Sequence, residues 1–338
     1  MLSDAINFVR KLSLLKLLNI LFVRLSYTLS ILLKKPLVWG KPWFISIEPA
    51  SVCNLSCPQC PVGEGDIVRK RSFMDMDDYK TLLKEISGTT ALLSLYFQGE
   101  PLMHKNITEF VRHATEAGIY TQISTNAQLM TEKLCRDMVE AGLDRIIISL
   151  DGNDQESYQT YRRGGDIQKV EDGIRTLNRL RREAGSKTPF IIVQFLVFRH
   201  NREQVSGVKK MAKELGTDRV WIKSAQIEYP RTAGEWIPEG SDHSRYEKDV
   251  KGDWKLRGTL RNRCSRLWQT SVITSDGIVV PCCFDKIPTF PMGSSGEQSL
   301  AEIWKSRVYQ DFRKQVLSNR KDIAICTNCT EGIGRIYN

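Results

Sequence analysis

Three cysteines fall within eight residues in the stretch CNLSCPQC, at Cys53, Cys57 and Cys60. Thiolates at such spacing bind soft metals, but a closed structural zinc site takes four protein ligands and nothing nearby supplies the fourth. Three thiolates on a four-iron cluster instead leave one iron open to another molecule. A second group comprises Cys264, Cys282, Cys283, Cys326 and Cys329, with DGIVVPCC in its middle. Cys326 and Cys329 are in CxxC spacing, and the group is large enough to supply a closed set of four thiolates. A four-cysteine zinc ribbon is the alternative, because spacing alone does not separate iron–sulfur from zinc. Cys283 points opposite its neighbour if the segment is extended, which makes it the poorer ligand. Cys135, in the helical TEKLCRDMVEAG, reads as a small buried hydrophobe. The four histidines, His104, His113, His200 and His243, form no close ligand pair, although His104 and His243 stand in loops from which a substrate is within reach.

The rest of the chain must position these thiols. At 338 residues and 41% hydrophobic composition it can bury a real core. No small-residue processing site follows the first apolar run, so a cytoplasmic protein is expected, its cysteines metal thiolates and not disulfides. The net charge of +10 admits a nucleic acid, an anionic membrane or an acidic protein as partner. The basic residues are scattered in short groups, Arg69-Lys70-Arg71, Arg179 to Arg182 and Arg257 to Arg266, without aromatic interleaving, so nucleic acid is the weakest of the three.

From Phe44 to about Ile222, short β-rich runs alternate with helical stretches, the mark of βα units around a parallel sheet. The expected strands are 44–47, 92–96, 120–124, 145–150, 190–195 and 219–222, with helices such as 76–86 and 167–183 between them. Six units are too few to close an eight-fold barrel, so the fold class is α/β, a three-quarter (β/α)6 barrel with a small C-terminal iron–sulfur domain. The organisation expected is an N-terminal amphipathic helical segment at 1–42, the partial barrel at 43–240, and an auxiliary-cluster domain at 257–338 in which little apolar core is evident. Residues 228–253 read as a linker or lid. In the first segment, Leu12 to Leu33 is apolar but interrupted by Lys16, Asn19 and Arg24, and ends in Lys34-Lys35-Pro36. That is a poor membrane span. Two readings stand: a helix in the membrane interface with its basic residues toward anionic head groups, or a helix packed on the protein's own surface.

The cysteine triplet follows the first strand, where barrel folds place chemistry. Its Cx3Cx2C pattern resembles the hallmark of the radical S-adenosylmethionine (SAM) superfamily. The resemblance implies a SAM-binding [4Fe-4S] cluster held by Cys53, Cys57 and Cys60, whose open iron chelates SAM. After the second strand comes FQGEP, similar to the family's Gly-Gly-Glu motif with Gln98 in place of the first glycine; Gly99 and Glu100 would meet the methionine ammonium. STNA after the third strand and SLDG after the fourth are similar to loops that line the cofactor, which makes Ser124, Asn126, Ser149 and Asp151 candidates. YRRGGD adds Arg162, with Arg163 beside it, as a partner for the cofactor carboxylate. The C-terminal cysteines resemble a shortened SPASM or "twitch" domain: Cys264, Gly277 and Cys282 fit its first element, and no cysteine follows Cys329, so one auxiliary [4Fe-4S] cluster, on Cys264, Cys282, Cys326 and Cys329, is expected.

The implied activity is hydrogen abstraction by a 5′-deoxyadenosyl radical, with net oxidation because the auxiliary cluster takes an electron. Only 43 residues precede the first strand, less than a peptide-recognition domain of the family, so a small-molecule or lipid-linked substrate is expected before a peptide. A peptide-modifying maturase is the alternative, and a non-catalytic metal-stapled protein is the alternative from another class. An acidic electron donor such as flavodoxin or ferredoxin is the expected protein partner, and peripheral membrane contact a further one.

Overall fold

The computed structural model describes residues 2–66, 69–70, 72–331 and 333. Arg71 of the first basic group lies outside them. Six parallel strands, β1 (Phe44–Ile47), β2 (Leu92–Ser94), β3 (Tyr120–Thr125), β4 (Arg145–Ser149), β5 (Phe190–Val197) and β6 (Arg219–Ser224), pair in sequence order. This is the expected three-quarter barrel. Strand ends differ by one or two residues from the pattern reading, as β2 stops at Ser94 and β5 runs on to Val197. Helices Met76–Ile86 and Ile167–Glu183 form where the apolar period predicts them, each opened by an aspartate, Asp75 or Asp166, whose side chain accepts from the first backbone N–H groups.

Alternation along the strands divides two environments. Ile45, Ile47, Leu93, Ile123, Ile146, Ile148 and Val193 face the helices and are fully buried. Their neighbours point into the barrel and mix polar with apolar: Ile147, Phe190 and Ile192 pack with Tyr96 and Trp221, while Ser46 donates to the Tyr96 carbonyl at 2.5 Å, Gln122 to Ser94 Oγ at 2.5 Å, and Arg145 to Gln122 Oε1 at 3.0 Å. A lumen lined this way is not filled by apolar layers as a closed barrel is.

The C-terminal region is less separate than its composition implies. After a hairpin of β7 (Tyr246–Lys248) and β8 (Trp254–Leu256), strand β9 (Thr270–Ile273) pairs in parallel with β1, and β10 (Ile278–Val280) and β11 (Gly293–Ser294) continue the same sheet. The expected lack of core is corrected too: Trp268, Ile303, Trp304, Tyr309 and Val316 are buried in the cluster that holds the barrel helices. The signal was missed because Trp268, Ile303 and Trp304 lie on the short helices Arg266–Gln269 and Leu300–Lys305, and Arg313 interrupts the apolar pattern of Arg307–Asn319. Arg313 is fully buried, its guanidinium 4.1 Å from the Trp304 ring and 4.0 Å from the Tyr309 ring, with donations to the carbonyls of Leu267 and Trp304.

Helices α1 (Leu2–Arg10) and α2 (Leu14–Leu33) lie across the base of the barrel, where the strands begin. Asp144, just before β4, accepts from Thr121 N (2.7 Å), Asn7 (2.7 Å) and Lys11 (2.6 Å). One buried carboxylate thus satisfies a strand and anchors α1. Asp144→Ala should strand the Thr121 N–H and loosen α1, which keeps its Asp4–Arg145 pair, lowering stability by about 2–4 kcal/mol in urea unfolding. Lys11→Ala, whose partner keeps its other donors, should lose less.

Candidate active site and auxiliary metal centre

The loops at the opposite, C-terminal ends of the strands carry the candidate residues, and buried carboxylates tie these loops together. Glu48, the residue after β1, is fully buried and accepts from Arg69 (2.5 and 2.6 Å), from Gln98 N (3.2 Å) and from Ser275 N (3.0 Å) in the β9–β10 turn. Glu100, after β2, accepts from Leu102 N (3.0 Å), Thr125 Oγ1 (2.7 Å) and Asn126 N (2.8 Å). Asp151, after β4, accepts from Leu196 N (2.7 Å) and from Arg162 through Nε (2.7 Å) and Nη2 (2.6 Å). Each carboxylate reaches to the next strand's loop. Desolvation raises the Glu100 pKa against the pull of its three hydrogen bonds.

The cysteine loop is held within this frame. Cys53 Sγ accepts from Leu55 N at 3.4 Å and lies 3.7 Å from Asn126 Nδ2, which also donates to Asn54 Oδ1 at 2.9 Å. Arg162 Nη1 is 3.8 Å from Cys57 Sγ. Cys57 is buried, Cys53 and Cys60 half-buried, and all nine cysteines are free thiols. Desolvation raises the thiol pKa of Cys53 to about 11, with Glu100 and the other two thiols adding to it.

Of the sequence candidates, the structure brings together Cys53, Cys57, Cys60, Asn126, Asp151 and Arg162 at one end of the barrel. Ser124 and Ser149 sit at the ends of β3 and β4 among the inward-facing positions. Gly99 has a reason nearer than a ligand: a Cβ there would stand 2.2 Å from the Ala50 carbonyl oxygen and 2.6 Å from that of Val52. Close approach of the β2 loop to the cysteine loop requires glycine. His104 is not poised as a base, since its ring nitrogens engage the Met74 carbonyl (3.0 Å) and Asn106 N (3.1 Å).

Sequence reasoning missed several residues. Gln59, between Cys57 and Cys60, is buried and accepts from Glu228 N (2.8 Å) and Tyr229 N (3.0 Å) while donating to Thr232 (2.9 Å). It fastens the cysteine loop to the expected lid. Glu48 and Arg69 were missed because ion partners remote in sequence leave no periodic trace. A cleft of about 570 Å³ lies between the lid and the C-terminal segment, lined by Ile227, Glu228, Tyr246, Trp254, Phe284 and Asn328 among others.

In the C-terminal group, Cys264, Cys282, Cys326 and Cys329 are buried and Cys283 is exposed. Arg320 is fully buried among them, donating to the carbonyls of Arg263 (2.8 Å) and Glu331 (2.5 Å), and it offsets the desolvation that raises the thiols of Cys264, Cys326 and Cys329. Cys283 lies within electrostatic reach of Tyr96 and Lys223 of the barrel lumen. Among the described residues, no three His, Cys, Asp or Glu side chains close round a point as the ligands of a single ion do. Thiolates of a cubane cluster bind separate irons, so an all-thiol donor set facing a buried cation fits such a cluster.

Comparison with known proteins agrees with this geometry. Residues 47–217 match the family model of the radical SAM superfamily, and residues 264–330 match that of the SPASM iron–sulfur cluster-binding domain. The chain belongs to the radical SAM superfamily. The first of these domains binds SAM and a [4Fe-4S] cluster, and the second binds auxiliary iron–sulfur clusters. The chain is 26% identical over 320 residues to the tungsten-containing aldehyde ferredoxin oxidoreductase cofactor-modifying protein of Pyrococcus furiosus, covering 85% of this chain and 87% of the relative. It is 24% identical over 294 residues to the S-adenosyl-L-methionine-dependent 2-deoxy-scyllo-inosamine dehydrogenase of Niallia circulans, covering 84% and 91%. Among solved structures it resembles Streptococcus suis SuiB bound to precursor peptide SuiA, with a TM-score of 0.61, 17% identity, and coverage of 86% of this chain and 70% of that one. At that identity the likeness is one of fold.

Gly99→Ala should force the β2 and cysteine loops apart and cost about 1–3 kcal/mol, the range for overpacking. Thermal unfolding together with iron content of anaerobically purified protein checks this: a lower Tm with less iron is expected, and an unchanged Tm would show that the loop yields without cost.

Proposed function

We propose that this chain oxidises a small-molecule or lipid-linked substrate in the cytoplasm, at the inner face of a membrane, by radical SAM chemistry. The observation that carries this reading is the pairing of β9 with β1. It joins the segment that carries Cys264 and Cys282 to the sheet whose first strand leads into the cysteine triplet. The similarity to the 2-deoxy-scyllo-inosamine dehydrogenase over most of both chains supports a small-molecule oxidation.

When bound at a reduced cluster, SAM supplies a 5′-deoxyadenosyl radical by cleavage of its S–C5′ bond. Cys53, Cys57 and Cys60 would hold that cluster. Asn126 and Arg162, already directed at Cys53 and Cys57, would place hydrogen-bond donors and positive charge beside it. Gly99 and Glu100 shape the loop that receives the methionine end, and Ser124, Ser149 and Asp151 present polar groups on the lumen side. Gln59 and the lid would exclude water from the cleft, which protects a radical from side reactions. A substrate that has given up a hydrogen atom and then a proton must pass its remaining electron to an acceptor. Cys264, Cys282, Cys326 and Cys329 would hold that acceptor, with Arg320 offsetting its negative charge. An acidic donor such as flavodoxin or ferredoxin would resupply the first site, drawn to a protein of net charge +10.

Replacing Cys53, Cys57 and Cys60 by alanine should abolish 5′-deoxyadenosine formation while far-UV circular dichroism stays native. Normal 5′-deoxyadenosine output from this variant would sink the assignment. Replacing Cys264, Cys282, Cys326 and Cys329 should lower iron from about eight to about four atoms per chain, on four per cluster. Cleavage of SAM should persist in that variant and oxidised product disappear. Full product formation would return the reaction to a redox-neutral class.

A further inference from the structure

Helix α2 is amphipathic with its faces reversed. The stripe it buries against the protein, Lys16, Asn19, Val23, Ser26 and Ser30, is polar at four of five positions. Lys16 donates to the Gly118 carbonyl at 2.6 Å, and Asn19 donates to the carbonyls of Lys41 (3.0 Å) and Thr89 (3.1 Å) while accepting from Lys41 N (2.8 Å). Ser30 Oγ accepts from Leu37 N at 2.8 Å. The outward face is leucine-rich: Leu14 is 73% exposed, Leu21 49%, Leu25 45% and Leu32 71%, and α1 extends the patch with Leu2 and Val9. Lys16 therefore does not reach for lipid head groups as the sequence reading supposed. It serves the barrel base, and the apolar residues are the ones left facing out.

Apart from Asp4, which is paired with Arg145, the charge this segment carries has one sign. Between Ala5 and Ile47 there is no aspartate or glutamate, and seven Lys or Arg residues occur. Arg10, Arg24, Lys34, Lys35 and Lys41 are exposed, as is Trp39 at 52%. An apolar surface of mostly aliphatic side chains with Phe22 among them, rimmed by cations and Trp39, complements a fluid anionic interface. A protein partner favours aromatic anchors in shaped pockets instead. The helix is long and apolar enough to cross a membrane, but its polar stripe is fixed by hydrogen bonds along the barrel base, so it lies flat.

We propose that α1 and α2 form a docking face for an anionic lipid bilayer, oriented so that the active-site end of the barrel points away from it into the aqueous phase. The hydrogen-bond anchors of this segment lie at the strand starts: Lys41 before β1, Thr89 before β2, Gly118 before β3 and Asp144 before β4, with Asp4 on Tyr120 and Arg145, the first residues of β3 and β4. The cysteine loop, Glu100, Asn126 and Asp151 follow the same strands. Strands of three to six residues put the two ends about 10–20 Å apart. The orientation rests on the radical SAM reading of the site, and it narrows the substrate to one whose reacting group stands in water: a soluble molecule, or the far end of a long headgroup. A group embedded in the same leaflet is excluded, because the base of the barrel is closed by these helices.

The test uses reconstituted holoenzyme. It should sediment with phosphatidylglycerol-containing vesicles at low salt and at least ten-fold less with phosphatidylcholine alone. The double variant Leu21→Glu/Leu25→Glu should stay in the supernatant with unchanged iron content and SAM cleavage. Failure of the holoenzyme to sediment, or sedimentation of the variant, overturns the docking face. A dimer in light scattering that the variant abolishes would assign the face to a second copy and overturn it equally. Hydrogen exchange of vesicle-bound protein should gain protection in 2–35 and not in 228–256; protection confined to 228–256 would reverse the orientation. Loss of SAM cleavage in the wild type, with binding intact, would count against the enzymatic reading alone.

Discussion

Every strand of an open parallel barrel ends in loops whose backbone N–H groups no longer have a ladder to join. In this protein, buried carboxylates meet that constraint, and the rest of the architecture follows from where they stand. Glu48, Glu100 and Asp151 each follow a strand and each accepts from the backbone of a neighbouring loop or strand. A buried, unpaired carboxylate is costly, so each is also a demand for donors. The donors supplied are loops that must then lie side by side: the Gln98 loop, the Asn126 loop, the β9–β10 turn and Arg162. The cysteine loop sits at the centre of these because Gly99 lets the β2 loop close on it. Asp144 repeats the device at the base, where it holds α1 in place of a ligand loop.

The same constraint explains how the auxiliary centre is positioned. An exposed β1 edge would leave unpaired N–H and C=O groups. Strand β9 covers it in parallel register, Phe44 opposite Thr270 and Ile47 opposite Ile273. Glu48 then locks the turn after β9 through Ser275. Cys282 follows β10, and Cys264 precedes the short helix Arg266–Gln269 that leads into β9. The segment that carries Cys264 and Cys282 is therefore fixed to the barrel by sheet hydrogen bonds and a shared core, not tethered through a linker. Rigid placement of this kind suits transfer of an electron, which requires that donor and acceptor keep a constant separation.

Local chemistry with a periodic or spaced signature was legible in the sequence. The six strands, the cysteine triplet and the loops after β2, β3 and β4 could be read because strand alternation and Cx3Cx2C spacing are properties of neighbouring residues. Pairings that span the chain were not. Nothing near Glu48 announces Arg69, Gln98 and Ser275 as its partners, and nothing near Gln59 announces residues 228–232. The C-terminal core was obscured by Arg313 and Arg320, two arginines that composition assigns to the surface and that the fold buries completely. In each case the guanidinium donates to two backbone carbonyls, a partner type that carries no sequence signal.

Helix α2 shows how a pattern can be seen and its direction inverted. Lys16 and Asn19 looked like interruptions of an apolar helix, and an interruption in an apolar helix ordinarily marks its solvent face. Here the surface beneath α2 is the rim of carbonyls left by the loops that feed β1, β2 and β3, and such a rim calls for donors. Lys16 and Asn19 supply them, at the cost of burying a lysine whose pKa is lowered chiefly by desolvation. The leucines are then outward by exclusion. An apolar outer face is tolerated in water only where something covers it, and the absence of acidic residues from Ala5 to Ile47 leaves the covering surface free to be anionic. The polar base of the barrel, and not the hydrophobicity of the helix, is what turns α2 over.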